Sequence, residues 1–331
     1  MQGLFPIRVA PHGASFECAS GQTVLAAAIS AGIWLPHSCK AGTCGSCELP
    51  MAAGAVGYAP GVIPPADGRC RTCQAFALQA VELVAPDVPR EPGQRVVTAA
   101  GRVIGIHKPS PDVAIVTVQL PAASGFSFRP GQYADVILRD GSRRSYSMAN
   151  RPGESGVIEW HIRRMEGGRF STHACERLKE RDVLRIQGPY GSFVLHEGTG
   201  PLVLLASGTG YAPIASLLHS HLPEMAARGA VLYWGGRKWS DLYAVDSVHA
   251  WQQRFPGVRL VPVLSEPDAG WSGRSGLVHQ AVLQDLPDLS GHEVYACGNP
   301  LMIDAARQAF VSQAGLAAQR FHADAFVTTP R

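Results

Sequence analysis

The chain has 331 residues, with 29 Lys and Arg against 26 Asp and Glu and a formal charge of +3; at roughly 150 residues per domain this length predicts two or three domains. Apolar residues make up 46% and charged residues 17%, which excludes a largely disordered chain and a polybasic protein built to neutralise phosphates. No apolar run approaches the ~20 residues needed to span a bilayer, and MQGLFPIRVA has neither an uninterrupted apolar core nor an early basic cluster. No membrane, signal peptide or nucleic-acid partner is therefore expected, and the cytoplasm is the default compartment.

Composition separates three zones. Residues 1–90 carry five basic and five acidic residues. Within them Thr23 is placed to cap a helix over Val24–Ser30, with Gly32 as its stop. The stretch 85–93, with three prolines and a glycine, reads as a linker, so the boundaries are set at 1–90, a linker over 91–98, 99–198 and 199–331. From 99 to 197 there are fourteen basic and ten acidic residues. Short alternating runs at 101–106, 113–120, 133–138, 157–162 and 183–186 predict a small β-barrel. From 200 onward the apolar runs 202–206, 231–234, 258–264 and 294–297 alternate with helical stretches, the pattern of a parallel βαβ sheet.

Of eight cysteines, five lie between Cys39 and Cys73; the others are Cys18, Cys175 and Cys297. In a reducing compartment such clustering points to metal ligation before disulfides. Cys39-Lys-Ala-Gly-Thr-Cys44-Gly-Ser-Cys47 followed by Cys70 and Cys73 has the C-x4-C-x2-C spacing of plant-type [2Fe-2S] ferredoxins. A short loop with Gly42 and Gly45 lets three thiolates converge and backbone N–H groups point at the cluster sulfurs. Structural zinc favours paired C-x2-C units, and Cys70-x2-Cys73 supplies a second pair, so spacing alone leaves zinc open. One thiol of the five is spare. The context Arg71-Thr-Cys73-Gln-Ala75, read as opening an apolar strand toward Leu78, resembles the last-ligand segment of the ferredoxin family and selects Cys73 over Cys70.

In the middle zone Arg144-Ser145-Tyr146-Ser147 lies at a strand end, where Tyr can stack on an isoalloxazine, Arg can pair a diphosphate and Ser can bond the flavin ring. His161 and Arg163 follow. Then comes Gly167-Gly168-Arg169-Phe170-Ser171, with Ser171 opening a helical stretch over 172–178, an anion site beside basic side chains. Read singly, these motifs are also those of a polar barrel strand and an ordinary capped helix. In the last zone a strand, the turn Gly208-Thr209-Gly210 and a helix start with Pro213 suit a pyrophosphate, although G-x-G-x-x-G is absent. Gly236 and Arg237 end the next strand. Cys297-Gly298-Asn299-Pro300-Leu-Met302 ends a later one, where Cys297 is expected to face the ligand crevice or to be a buried thiol.

The order of these motifs resembles the ferredoxin–NADP reductase superfamily. More narrowly, it resembles the iron–sulfur flavoprotein reductases of bacterial ring-hydroxylating oxygenases, terephthalate dioxygenase reductases above all, on Arg144-Ser-Tyr-Ser-Met-Ala-Asn150, Gly167-Gly-Arg-Phe-Ser-Thr172 and Phe321-His-Ala-Asp-Ala-Phe326. Tyr233-Trp-Gly-Gly-Arg237, Asp241-Leu-Tyr243 and Val261-Pro-Val-Leu-Ser-Glu266 also resemble the CDP-6-deoxy-3,4-glucoseen reductases. The resemblance implies a multidomain α+β and α/β chain: a β-grasp ferredoxin, an antiparallel flavin-binding β-barrel and a parallel-sheet nucleotide-binding domain. It implies FAD held by Arg144, Tyr146 and Ser147 with Gly168, Arg169, Phe170 and Ser171 around its diphosphate, and Phe326 near the ring. Gly208, Thr209, Gly210, Pro213, Cys297, Gly298 and Met302 would line the NADPH or NADH site. Asn299 stands where many relatives carry proline.

The expected chemistry follows from electron counting. A nicotinamide gives up two electrons as a hydride, a [2Fe-2S] cluster takes one at a time, and a flavin does both. Ser147, Cys297 and Phe326 would then position reactants. The implied partner is a Rieske-type terminal oxygenase, with sugar deoxygenation or a non-enzymatic iron–sulfur redox sensor as alternatives.

Overall fold

The structure, a computed structural model, describes residues 3–86, 88, 93–153 and 156–327; residues 87 and 89–92 of the expected linker lie outside it. The chain divides into two compact units: one up to Val97 together with Pro189–Ser192 and Val327, the other spanning Thr98–Gly188 and Phe193–Phe326.

The first unit runs β1 (Leu4–Ala10), β2 (Ala14–Ala19), α1 (Val24–Ser30), β3 (Glu48–Ala53), β4 (Val56–Gly57), β5 (Arg69–Arg71), β6 (Phe76–Ala77) and β7 (Val81–Val84). Its five-stranded sheet has the order β2-β1-β7-β3-β5, with β1 and β7 parallel and the other pairs antiparallel. Period-two alternation puts Ile7, Val9, Phe16 and Cys18 on the buried face, where they meet Val24, Leu25, Ala27 and Ala28 of α1. That helix keeps its expected span, and the Thr23 hydroxyl accepts from the Ala26 N–H at 3.3 Å. The strand expected to run from Cys73 toward Leu78 is only the two-residue β6, paired with β4. Leu78 is 60% exposed, because the ladder ends before it. Ala85 and Val88 are buried in this unit's core.

The second unit begins with a six-stranded sheet: β8 (Val97–Ser110), β9 (Val113–Gln119), β10 (Tyr133–Ile137), β11 (Arg143–Ser147), β12 (Val157–Arg163), α2 (Arg169–Glu176) and β13 (Val183–Tyr190). The strand order is β11-β10-β13-β8-β9-β12. Its outer strands meet through an antiparallel Met148–Trp160 bridge and an Ala149 N–H to Glu159 C=O bond of 2.8 Å, which closes the sheet into a barrel around Val116, Val118, Met148 and Trp160. All five expected barrel runs are strands. Helix α2 starts earlier than expected, at Arg169 with Gly168 as its N-cap. Ser171 sits inside the first turn, where its hydroxyl donates to the Gly168 carbonyl at 3.2 Å and accepts from the Met165 N–H at 3.1 Å.

The remaining elements are β14 (Leu202–Ser207), α3 (Tyr211–Arg228), β15 (Ala230–Gly236), α4 (Val245–Arg254), β16 (Val258–Leu264), β17 (Arg274–Ser275), α5 (Val278–Asp285), β18 (Glu293–Gly298), α6 (Pro300–Gln313) and β19 (Phe321–Ala325). The order β17-β16-β15-β14-β18-β19 is parallel throughout. Leu202 to Ala206 have no exposed surface, as a central strand covered on both faces requires. The chain winds one way from β14 to β16 and the other way from β18 to β19, so the topological switch lies between β14 and β18.

Asn299 is explained by the fold. Its side-chain oxygen accepts from the Leu301 N–H at 2.9 Å, and Pro300 fills the first helical position of α6, where a missing N–H costs nothing. Asn299→Ala should destabilise the second unit by about 1 kcal/mol and Asn299→Asp by much less, read as the urea midpoint of its unfolding.

Candidate functional site

The cysteine loop arranges its thiols in couples. The Cys47 and Cys73 sulfurs are 3.2 Å apart, and Cys39 is hydrogen-bonded to Cys44, which draws the Cys39 thiol down to about 4. Cys47 is likewise lowered by its bond with Cys73. The Ala41 N–H and the Thr43 hydroxyl reach the Cys39 sulfur at 3.3 and 3.6 Å, so backbone and side-chain donors already favour a thiolate there. Gly42 has φ +77°, and a Cβ on it would lie 2.1 Å from the Gln74 side chain. The positive φ favours glycine in this turn, and any side chain there would displace the end of Gln74.

Behind the loop, the Cys47 carbonyl accepts from the Thr72 N–H at 3.0 Å, while the Val24 and Leu25 N–H groups at the start of α1 bond the Ala75 and Thr72 carbonyls. These bonds hold the segment carrying Cys73 against Cys47. Cys70 lies opposite Leu49 in the β3–β5 ladder, wholly buried, and burial pushes its thiol up to about 12. Two couples of sulfur suit a binuclear cluster with two thiolates per iron, so the donor set fits [2Fe-2S].

On the barrel, alternation along β11 separates the quartet Arg144-Ser145-Tyr146-Ser147 into two faces. Tyr146 lies against the Trp160 and Phe170 rings, with centroids 6.0 and 5.6 Å away, and Arg144 bonds the Arg143 carbonyl. Ser145 instead donates to Asp135 at 2.7 Å. Ser147, buried, donates to Asp324 Oδ2 at 3.3 Å. His161 and Arg163 are engaged within the protein. His161 bonds the Tyr243 hydroxyl at 2.8 Å and Glu159 at 3.2 Å, and that bond holds the Glu159 carboxyl below its usual range. Arg163 bridges Asp112 at 2.8 Å and Asp241 at 2.5 Å. Phe170 is buried in the barrel core, and Arg169 pairs with Asp140. A cavity of 580 Å³ is lined by Asp112, Arg164, Met165, Glu166, Gly167, Thr172, Glu176 and Arg237, so the Gly167 turn and Arg237 share one cleft with three carboxylates. Backbone without side chains at Gly167 and Gly168, the basic residues of the two motifs and the Tyr146 ring fit a flavin dinucleotide.

At the switch point the backbone is drawn tight. A Cβ at Gly210 would lie 2.2 Å from the Cys297 carbonyl oxygen, so glycine is required where the β14 turn meets the end of β18. The Ser207 hydroxyl accepts from the Asn299 N–H at 2.9 Å. The Trp234 indole donates to the Gly208 carbonyl at 3.0 Å. Pro213 is buried in the first turn of α3, and Met302 is half-buried in that of α6. The Phe326 N–H donates to the Gly298 carbonyl at 2.8 Å, and its ring packs on the core that includes Cys297. Cys297, expected to face the crevice, has no exposed surface, and burial raises its thiol well above the ordinary value. The thiol is packed in the core at the end of β18.

Four partners escaped the sequence reading: Asp324 for Ser147, Tyr243 for His161, and Asp112 with Asp241 for Arg163. Each pair is separated by 51 residues or more, and no local spacing marks it. Asp241 is the informative one. One oxygen takes Arg163, the other takes the N–H groups of Arg237 at 2.7 Å and Lys238 at 3.3 Å. Its carboxylate also pairs at 3.6 Å with the Arg237 side chain, which is 64% exposed, while Lys238 pairs with Asp268. A cation beside a ribose site favours a 2′-phosphate. Arg237→Ala should raise KM for NADPH on the order of tenfold, about the value of one charge-assisted hydrogen bond, and KM for NADH much less. Steady-state kinetics with both nucleotides decide, and equal effects would refute the role.

Comparison with known proteins matches three family models in succession along the chain. Residues 7–78 match the 2Fe-2S iron-sulfur cluster binding domain, 100–195 the oxidoreductase FAD-binding domain and 204–308 the oxidoreductase NAD-binding domain. The chain is 38% identical to the CDP-6-deoxy-L-threo-D-glycero-4-hexulose-3-dehydrase reductase of Yersinia pseudotuberculosis, over 97% of this chain and 98% of that protein. It is 35% identical to reductase component 1 of the Comamonas terephthalate 1,2-dioxygenase, over 96% and 95%. Among solved structures, an Amycolatopsis cytochrome P450 reductase superposes with a TM-score of 0.83 at 31% identity, covering 98% of this chain and 99% of that one.

Proposed function

The chain belongs to the iron–sulfur flavoprotein reductases of the ferredoxin–NADP reductase superfamily, and we propose that it supplies single electrons from NAD(P)H to a terminal oxygenase acting on an aromatic ring, with a Rieske centre as acceptor. The observation that carries the acceptor class is end-to-end similarity to reductase components of aromatic oxygenases, at 35% for the terephthalate enzyme and 32% for an aromatic O-demethylase reductase subunit. A second reading has its own support: the sugar-dehydrase reductase matches at 38%, so a dehydrase acting on a nucleotide-linked deoxysugar is the competing acceptor. Use of NAD(P)H as the electron donor supports a cytoplasmic location.

When bound, the flavin converts the two-electron hydride of the nicotinamide into single electrons for the cluster. Hydride transfer needs no general base, so the side chains serve by positioning. In this reading Cys39, Cys44, Cys47 and Cys73 hold the cluster. Tyr146 supplies an aromatic face, and Arg144 with Gly167 to Ser171 receives the diphosphate. Ser147 gives its hydrogen to Asp324, which leaves its oxygen lone pairs for a ring N–H. Gly208 to Gly210, Gly236, Gly298 and Met302 admit the nucleotide backbone. Buried Cys297 fixes the floor of the crevice rather than attacking anything.

The acceptor is tested by mixing the purified reductase and NADPH with an aromatic-ring oxygenase or with a sugar dehydrase and measuring product. Turnover supported only with the dehydrase would overturn the oxygenase reading. Phe326→Ala should alter the flavin absorbance envelope and slow flavin reduction by NAD(P)H in stopped flow; an unchanged spectrum and rate would leave Phe326 a packing role alone. Cys73→Ala should lose the cluster and cytochrome c reduction while keeping ferricyanide reduction, which draws on the flavin. Cys70→Ala should keep both. The opposite pattern would make Cys70 the ligand.

A further inference from the structure

We propose that Arg71 and Glu48 form a compensated charge pair beside Cys47 and Cys73 that sets the reduction potential of the cluster, with Arg71 raising it and Glu48 lowering it. The inference rests on the ligand reading given above.

The placement comes from the ladder that holds the ligands. Glu48 follows Cys47 directly, and Glu48 stands opposite Arg71 in the β3–β5 pairing, two residues before Cys73. The Arg71 Nη2 and Nε atoms both reach Glu48 Oε1, at 2.6 and 2.8 Å. Nη1 donates to the Ile63 carbonyl at 3.0 Å and to Gln74 Oε1 at 3.4 Å. The Arg71 backbone N–H goes to the Tyr58 hydroxyl. The guanidinium is thus fixed on every side, and the two side chains are only 18% and 23% exposed. Thr72, between Arg71 and Cys73, donates its N–H to the Cys47 carbonyl at 3.0 Å, which holds the charge pair beside both ligand segments.

One-electron reduction adds one negative charge among the thiolates. A fixed cation nearby stabilises that charge, a fixed anion opposes it, and net local charge is among the determinants of iron–sulfur potentials. Partial burial lowers the local dielectric, so neither charge is screened as it would be in water. In the wild type the two largely cancel. Removing either one exposes the other, which is what separates this role from that of a brace: loss of a brace does not give shifts of opposite sign.

The test is a potentiometric titration of the full-length holoenzyme, following the visible absorbance and paramagnetic resonance of the cluster, with iron and sulfide content measured alongside. Glu48→Gln should raise the midpoint potential and Arg71→Gln should lower it. Arg71→Lys should lie near the wild type, and the double Gln variant should return toward it. No shift, or shifts of the same sign, at full cluster content overturns the proposal. If Arg71→Gln assembles no cluster, Glu48→Gln decides alone, because it keeps every Arg71 contact; an unshifted or lowered potential there overturns the proposal. A cluster retained at full content in Cys73→Ala is a failure of the ligand reading, and it is read separately from the potentials.

Discussion

The second unit depends on one close approach. The turn after β14 and the end of β18 come together so tightly that the Gly210 backbone rests on the Cys297 carbonyl, with no room for a Cβ. Parallel strands wound in opposite directions from a central strand leave a crevice at their carboxyl ends, and here the crevice floor is backbone. The bond from Phe326 to Gly298 brings the end of the second unit to the same place. A larger side chain at 210 would push α3 away from β18 and open the floor.

The barrel is stitched to this floor by polar bonds that cross between distant parts of the chain. Ser147 reaches Asp324, His161 reaches Tyr243, the Ser216 hydroxyl donates to the Asn150 carbonyl at 2.7 Å, and Arg163 joins Asp112 to Asp241. Arg163 and Asp241 are mostly buried, and removing one partner of a buried pair typically costs about 3–5 kcal/mol because the other charge is stranded. The same Asp241 fixes the Arg237 loop. Barrel–sheet attachment and the Arg237 loop therefore share one carboxylate.

The first unit solves a different problem. A cluster loop has little apolar surface of its own, so its shape comes from hydrogen bonds: donors onto Cys39, the Thr72 clasp on Cys47, and the start of α1 bonded to the segment around Cys73. A seven-residue helix this rich in alanine contributes little stability alone. It is held because Val24, Leu25, Ala27 and Ala28 are part of the core.

Much of this was legible in the sequence because it depends on neighbours along the chain. Thiol spacing, the Thr23 cap, the alternation of barrel strands and the apolar runs of the parallel sheet are local patterns, and the structure shows helix and strands where those patterns fall. Two local readings failed for physical reasons. Ser171 has the chemistry of a cap, but Gly168 turns the chain earlier, and Leu78 lies beyond a two-residue ladder. Only the tertiary structure decided which polar groups are free. It committed Asp241 and Ser145, closed Cys297 inside the core, coupled Cys47 to Cys73 and placed Arg71 against Glu48. Spacing specifies what a segment of chain can do by itself, whereas the partner of a side chain is set by packing between segments far apart in sequence.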